Sequence, residues 1–212
     1  MRSANGLIPR PSPERPYRLE GTRPGESPHQ TLFISCTETQ IAPTRFVSRP
    51  EQLFELRNIG NIVPPYNPKV VSGAIATIDY ALSLTNLRDV VIAGHSGCGA
   101  VAALLNQTSN RVSPSLRRWL VVGSSRVACE DAVGTRASGA IGKEALDRAA
   151  QAHLLTQLAH LAQYPELESG QNSGRLRLRA LFHRAESSTT EVYSPRDDSF
   201  KPLAREGSGR RR

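Results

Sequence analysis

The chain has 212 residues, of which 38% are hydrophobic, and this length suffices for one α/β domain with its own core. Its formal net charge is +8, and all of its basic residues except Lys69, Lys143 and Lys201 are arginines. Basic segments can contact phosphates, but the sequence contains no motif of a common nucleic-acid recognition fold, so nucleic-acid binding is not expected.

Targeting and membrane segments are not evident in the sequence. No apolar run approaches the roughly 18 residues of a membrane span, and the first residues lack the apolar core of a signal peptide. Three cysteines in a chain of 212 residues do not form a disulfide framework. We therefore expect a cytoplasmic protein with no membrane association.

The two ends of the chain differ in composition from its middle. Residues 1–30 are rich in proline and arginine, and their apolar content is too low to offset the entropy of ordering, which predicts a flexible N-terminal arm. Residues 204–212 form a basic C-terminal tail. The folded domain is therefore predicted to comprise residues 31–203.

The first half of this domain alternates between strand and helix patterns. Apolar runs of strand length occupy residues 31–36, 53–57 and 89–93. Between them, residues 43–48 could begin a short helix, and residues 70–84 carry apolar side chains at the three- and four-residue spacing of a longer one. Cys98 is expected to open the next helix, which runs to Leu105.

The second half is predicted to be mainly helical before it ends in a hairpin. Residues 114–122 are predicted to form a helix that contains the only tryptophan, Trp119, and residues 144–164 are predicted to form a long amphipathic helix. The predicted inward face of the long helix consists of Ala145, Ala149, Ala152, Leu155, Leu158, Ala159 and Ala162. Its His153 and His160 are interpreted as surface or packing residues. Strand patterns at 176–182 and 190–193 complete the domain.

Alternating strands and helices predict an α/β fold. We expect a doubly wound, mostly parallel sheet flanked by helices, with a C-terminal hairpin at the sheet edge. Functional sites in such sheets form beyond the carboxyl ends of the strands.

Metal-binding residue types follow two of the predicted strands. Cys36 ends the first apolar run, while His95 and Cys98 follow the run at 89–93 with two residues between them. Two thiolates and one imidazole are a ligand set for Zn²⁺, and three protein ligands leave a fourth position for water, as in catalytic zinc sites. Cys129 lies outside this pattern and is interpreted as a lone thiol.

Several segments in order resemble the β-class carbonic anhydrases. They are Cys36-Thr-Glu-Thr-Gln40, Leu53-Phe-Glu-Leu-Arg-Asn-Ile-Gly-Asn-Ile-Val-Pro-Pro65, Ala76-Thr-Ile-Asp-Tyr-Ala81 and Gly94-His-Ser-Gly-Cys-Gly-Ala100. The resemblance covers residues 31–106, and a weaker match through Trp119, the long helix and Glu191-Val-Tyr193 continues to about Leu203. Arg57 and Asn58 are expected to fix the turn at Gly60, near the site.

The resemblance implies a cytoplasmic zinc enzyme that interconverts carbon dioxide and bicarbonate by means of a zinc-bound hydroxide. Zn²⁺ would be held by Cys36, His95 and Cys98. The resemblance also implies a homodimer or a dimer of dimers.

Two positions depart from the family's Cys-x-Asp-x-Arg motif. Glu38 stands where the family has aspartate, which accepts a hydrogen bond from the zinc water or occupies the fourth zinc position. Gln40 stands where the family has the arginine that pairs with this aspartate, and it lacks the charge and the bidentate fork of arginine. Glu38 and Gln40 are therefore candidate catalytic residues of a slow enzyme.

Other functions remain open at this point. The chain could be a zinc-binding, catalytically impaired relative that serves as an assembly partner, or a hydrolase of another small linear molecule such as carbonyl sulfide or carbon disulfide. A further alternative is an arginine-tailed nucleic-acid binder with structural zinc.

Overall fold

A single sheet organises the part of the chain that the structure describes. The structure is a computed structural model, and it describes residues 30–38, 41–46, 52–106, 112–134 and 141–203. The strands are β1 (Gln30–Cys36), β2 (Leu53–Asn58), β3 (Leu87–His95), β4 (Arg177–Arg184), β5 (Thr189–Ser194) and β6 (Ser199–Pro202), and their order across the six-stranded sheet is β2-β1-β3-β4-β5-β6.

The strand directions confirm the predicted sheet type. β1 pairs in parallel with β2 and β3, and β3 pairs in parallel with β4. β5 and β6 continue the sheet as antiparallel strands at its edge. The fold is therefore of the α/β class with a mostly parallel sheet, and the C-terminal hairpin lies where it was predicted.

Helices connect and flank the strands. They are α1 (Gly73–Ser83), α2 (Gly99–Leu105), α3 (Pro114–Val122), α4 (Arg126–Val133), α5 (Lys143–Ala162) and α6 (Pro165–Asn172). Single 3-10 turns occupy Pro43–Arg45, where a short helix was predicted, and Ile59–Asn61, after β2. None of the helices in the described ranges is long and apolar enough to cross a membrane.

The core lies on both sides of the sheet. The larger cluster combines one face of the central strands with buried residues of the helices, for example Leu32 and Ile92 with Ile78 and Leu154. The opposite face carries a smaller cluster in which Phe33 stacks on Phe46. The alternation of buried side chains in β1 and β3 between two faces explains their continuous apolar sequences.

The inward face predicted for α5 is wrong. Of the seven predicted residues, only Ala149 is buried, and Ala159 and Ala162 are exposed. The buried residues are instead Asp147, Ala149, Ala150, His153, Leu154, Gln157, His160 and Leu161. His153 and His160 are thus packing residues rather than surface residues. The helix presents a polar stripe to the protein interior, which an analysis of apolar spacing does not detect.

Three elements were not predicted. The sequence of α4 mixes charged and apolar residues, α6 has exposed acidic residues on its first turn after Pro165, and β6 is only four residues long. Residues 1–29 of the predicted arm, the predicted tail and Gln40 lie outside the described residues, whereas Gln30, the last residue of that arm, is the first residue of β1.

Candidate metal centre

The fold brings Cys36, His95 and Cys98 together. Cys36 is the last residue of β1 and His95 is the last residue of β3. Because these strands are parallel neighbours, both side chains lie at the carboxyl ends of the strands, on the same side of the molecule. Cys98 is the N-cap of α2. All three residues are buried, and together with Glu38 they place one ligand atom each within 4.8 Å of one another.

A tight turn allows His95 and Cys98 to face the same point. Gly97 has φ 64°, a left-handed conformation that glycine adopts without strain. Its N–H donates to Asp147 Oδ1 of α5 at 3.0 Å. The preceding Ser96 N–H donates to the His183 carbonyl of β4 at 2.9 Å, so α5 and β4 both hold the turn.

The environment of Cys36 stabilises a thiolate. The Gly60 N–H donates to Cys36 Sγ at 3.3 Å and the Glu38 N–H donates to it at 3.5 Å. A hydrogen bond with the Cys98 thiol lowers the pKa of Cys36 to about 4, although burial opposes this shift. The same contact with Cys36, together with burial, raises the pKa of Cys98.

The imidazole of His95 presents a nitrogen to the two sulfurs. Its Nδ1 lies 3.0 Å from the Ser96 carbonyl, which can only accept, so Nδ1 carries the proton and donates it. Its Nε2 is buried and has no hydrogen-bond partner among the described residues. A buried nitrogen with a lone pair beside two sulfurs is the arrangement of a metal ligand.

Glu38 lies at the exposed rim of this cluster. Its Oε2 accepts a hydrogen bond from the Gly99 N–H at 2.9 Å. A Cβ at position 99 would lie 2.6 Å from Glu38 Oε1, so the missing side chain of Gly99 makes room for this carboxylate. Gln40, the other candidate catalytic residue, lies outside the described residues.

The turn at Gly60 lies directly behind Cys36. The Asn58 side chain accepts from the Ile62 N–H at 2.7 Å and donates to the Ile62 carbonyl at 2.9 Å, which confirms that Asn58 fixes this turn. Arg57 instead donates to the Ile41 carbonyl at 2.7 Å and pairs with Glu55. It therefore joins β2 to the segment after β1.

Two further residues hold the turn, and the sequence analysis did not assign them to the site. Trp119 Nε1 donates to the Ile59 carbonyl at 2.8 Å, and His153 Nε2 lies 2.6 Å from the Gly60 carbonyl. A signal was present for His153, because it begins the series His153, Gln157, His160 and Tyr164, whose spacing of four, three and four residues places hydrogen-bonding groups on one face of a helix.

Cys129 is separate from the metal centre. It is buried in α4, and its thiol donates to the Ala149 carbonyl at 3.4 Å. Burial raises the pKa of Cys129 to about 11. Cys129 is thus a protonated packing residue near neutral pH.

These features define an α/β protein with a candidate metal centre of two thiols and one imidazole at the carboxyl edge of its parallel strands. A family model described as carbonic anhydrase matches residues 31–190, which is most of the chain. The protein belongs to the carbonic anhydrase family, and its solved relatives place it in the β class.

Relatives of known sequence and structure support this assignment. The carbonic anhydrase of Pseudomonas aeruginosa is 32% identical over 176 residues, which cover 82% of this chain and 78% of that protein. Carbonic anhydrase 1 of Escherichia coli O157:H7 is 31% identical over 194 residues, covering 91% and 85%. The structure of the β-carbonic anhydrase CcaA superimposes with a TM-score of 0.72 at 29% identity and covers 82% of this chain and 83% of that one.

Proposed function

We propose that this protein catalyses the reversible hydration of carbon dioxide to bicarbonate, with zinc held by Cys36, His95 and Cys98. The observation that carries the proposal is the convergence of two buried sulfurs and the buried Nε2 of His95, which has no hydrogen-bond partner in the described part of the chain, in a member of the carbonic anhydrase family. Thiolate and imidazole donors fit zinc, whose structural and catalytic sites are built from these ligands.

The chain's own residues prepare this site. When bound, zinc makes water a nucleophile near neutral pH. The Gly60 and Glu38 amides take up part of the charge on Cys36 Sγ through their hydrogen bonds. The Ser96 carbonyl fixes the tautomer of His95, so its Nε2 is available as a donor before the metal arrives. Cys36, His95 and Cys98 would hold the metal, which would supply an activated water for the reaction.

Glu38 is the proposed proton acceptor at the rim. The Gly99 amide holds one of its oxygens, and the carboxylate lies within the same 4.8 Å cluster as the sulfurs and the imidazole. In this position it can accept a hydrogen bond or a proton from a reacting water. The neutral Gln40 replaces the arginine of the family motif, so no guanidinium from that position restrains the carboxylate. We therefore propose a slow enzyme.

Stopped-flow measurement of carbon dioxide hydration, together with elemental analysis, tests this function. Wild-type protein should hold one zinc per chain and accelerate hydration above the buffer rate. Cys98→Ala should lose both the metal and the activity. Cys129→Ala is the matched control, because it also removes a buried thiol but lies outside the metal centre, and it should keep both.

Two results would contradict parts of this proposal. Full zinc content in Cys98→Ala would show that the ligand assignment is wrong. Wild-type protein with one zinc per chain but no hydration activity would favour a catalytically impaired member of the family, which the Glu38 and Gln40 substitutions already make the second candidate.

We also propose that the protein is a homo-oligomer. This proposal is supported by the tetrameric β-carbonic anhydrases of Sordaria macrospora, which share the fold at a TM-score of 0.64 and 23% identity. Gel filtration with light scattering would test the assembly, and a strictly monomeric protein would contradict it.

A further inference from the structure

One peptide group connects Trp119 to the Cys36 sulfur. The carbonyl of Ile59 and the N–H of Gly60 belong to the same peptide. Trp119 Nε1 donates to this carbonyl at 2.8 Å, and the N–H at the other end donates to Cys36 Sγ at 3.3 Å. The two hydrogen bonds thus form a chain from the indole, through one peptide, to a proposed metal ligand.

The two bonds in such a chain strengthen each other. A donor at the carbonyl oxygen increases the polarisation of the peptide, which makes its N–H a better donor. The contact with Cys36 is buried, where hydrogen bonds are electrostatically stronger than in water. The indole of Trp119 therefore increases the charge that the Gly60 amide withdraws from the thiolate.

His153 holds the next peptide from the other side. Its Nε2 lies 2.6 Å from the Gly60 carbonyl, and its Nδ1 lies 2.6 Å from Ser125 Oγ. Because a carbonyl only accepts, Nε2 must carry the proton, and Ser125 must then donate to Nδ1. Both His153 and Ser125 are buried, so this orientation is fixed by the protein interior.

The backbone at Gly60 needs such support. Gly60 has φ 81°, and a Cβ there would lie 3.1 Å from Ala100 Cβ of α2. The turn is therefore pressed against the helix that begins beside Cys98. A small movement of the turn would remove the Gly60 N–H from Cys36 Sγ, which lies at 3.3 Å.

We infer that Trp119 and His153 are positioning residues of the metal centre, which hold the Gly60 amide on Cys36 and so set how much charge this thiolate donates to the metal. The inference rests on the proposed zinc site. It adds residues from α3 and α5 to a site whose ligands come from β1, β3 and the start of α2.

Zinc affinity and the cobalt spectrum of three variants test this inference. Trp119→Phe removes the indole N–H and retains an aromatic ring, and His153→Asn shortens the side chain that reaches Gly60. His160→Asn is the matched control. His160 is also a buried histidine of α5, and its Nδ1 lies 2.8 Å from the Val63 carbonyl, but this carbonyl is not adjacent to Gly60.

We expect Trp119→Phe and His153→Asn to bind zinc about 10-fold more weakly than wild type at neutral pH, because a Cys36 sulfur with a weaker hydrogen bond is held less firmly in place and retains its proton more strongly. This loss lies at the lower end of the effect of losing an outer contact of a metal ligand. In their cobalt-substituted forms, the sulfur-to-cobalt charge-transfer band should move to lower energy, because a thiolate with a weaker hydrogen bond is easier to oxidise. In His160→Asn, the zinc affinity should change by no more than about twofold, and the charge-transfer band should keep its position.

The outcomes separate this inference from the proposed function. A wild-type protein that binds no zinc would overturn both. If wild type binds zinc, and Trp119→Phe and His153→Asn bind it with the same affinity and the same band position, the inference alone is overturned. The inference is also overturned if His160→Asn changes the affinity and the band as much as these two variants do. If circular dichroism shows that one of the two variants is unfolded, the other decides.

Discussion

Gly99 and Glu38 form a pair in which one residue makes room for the other. The carboxylate of Glu38 fills the volume that a Cβ on Gly99 would occupy, and the Gly99 amide binds it. This backbone amide provides a hydrogen bond to Glu38 without a positive charge. The position of Glu38 is therefore set by the start of α2.

Replacing Gly99 by alanine should displace Glu38. The added methyl would lie 2.6 Å from Oε1, so the carboxylate must move. Alanine is the better helix former by about 1 kcal/mol, so α2 should remain intact. We expect unchanged zinc content and a carbon dioxide hydration rate lowered about 100-fold, at the lower end of the contribution of one general acid–base group.

The control for this variant is Gly142→Ala, since a Cβ at position 142 would meet nothing within 4 Å. Stopped-flow assays of both variants should show a loss only for Gly99→Ala. An unchanged rate in Gly99→Ala would mean that Glu38 does not take part in the reaction.

Restoring the family motif should increase the activity. We expect the double variant Glu38→Asp with Gln40→Arg to raise the rate of carbon dioxide hydration by a larger factor than the two single-variant factors multiplied together. The reason is that a carboxylate and a guanidinium in contact act as a unit. The measurement is a double-mutant cycle of hydration rates on zinc-loaded proteins. A double variant that is no faster than wild type would place the limitation elsewhere.

At the scale of elements, α5 holds the loop that follows β2, which lies behind the metal centre. Its buried stripe reaches the backbone of that loop at several successive residues. Gln157 accepts from the Val63 N–H at 3.0 Å and donates to the Gly123 carbonyl at 2.8 Å, and the Tyr164 hydroxyl donates to the Pro64 carbonyl at 3.1 Å. The loop thus obtains from side chains the hydrogen bonds that a sheet would otherwise supply.

Removing Gln157 should measurably destabilise the fold. Gln157→Leu keeps a similar volume but leaves a buried amide and a buried carbonyl without their partner, at about 1–3 kcal/mol each. We expect the free energy of unfolding to fall by about 2–6 kcal/mol in urea titrations. Gln163→Leu, at an exposed position at the end of the same helix, should change it by less than about 0.5 kcal/mol. A similar loss in both variants would contradict this role.

The same stripe shows where sequence analysis succeeds and where it fails. The strands that end at Cys36 and His95 were predicted because buried parallel strands are short apolar runs, and their carboxyl ends must share an edge. The buried face of α5 was missed because His153, Gln157 and His160 are buried through hydrogen bonds to a distant loop. No local pattern shows that partner. The position of the Glu38 carboxylate likewise depends on Gly99, which is distant in sequence.

At the scale of the whole molecule, the sequence separates a domain from two basic ends. We expect a chain shortened by residues 1–20 and 205–212 to keep its zinc content and its unfolding temperature, since these segments carry little apolar surface. Elemental analysis and thermal unfolding of the shortened and full chains test this expectation. Loss of metal on shortening would contradict it, and a smaller assembly on gel filtration would assign the ends a role in oligomerisation.

The position of the single tryptophan makes the protein its own optical reporter. Trp119 is the only tryptophan in the chain, and its indole N–H is two hydrogen bonds away from Cys36 Sγ. A metal that withdraws charge from this sulfur changes the field along the Ile59–Gly60 peptide and therefore at the indole. Intrinsic fluorescence thus gives a direct signal of metal uptake and release in the unlabelled protein, without a substrate and without a chromophoric competitor.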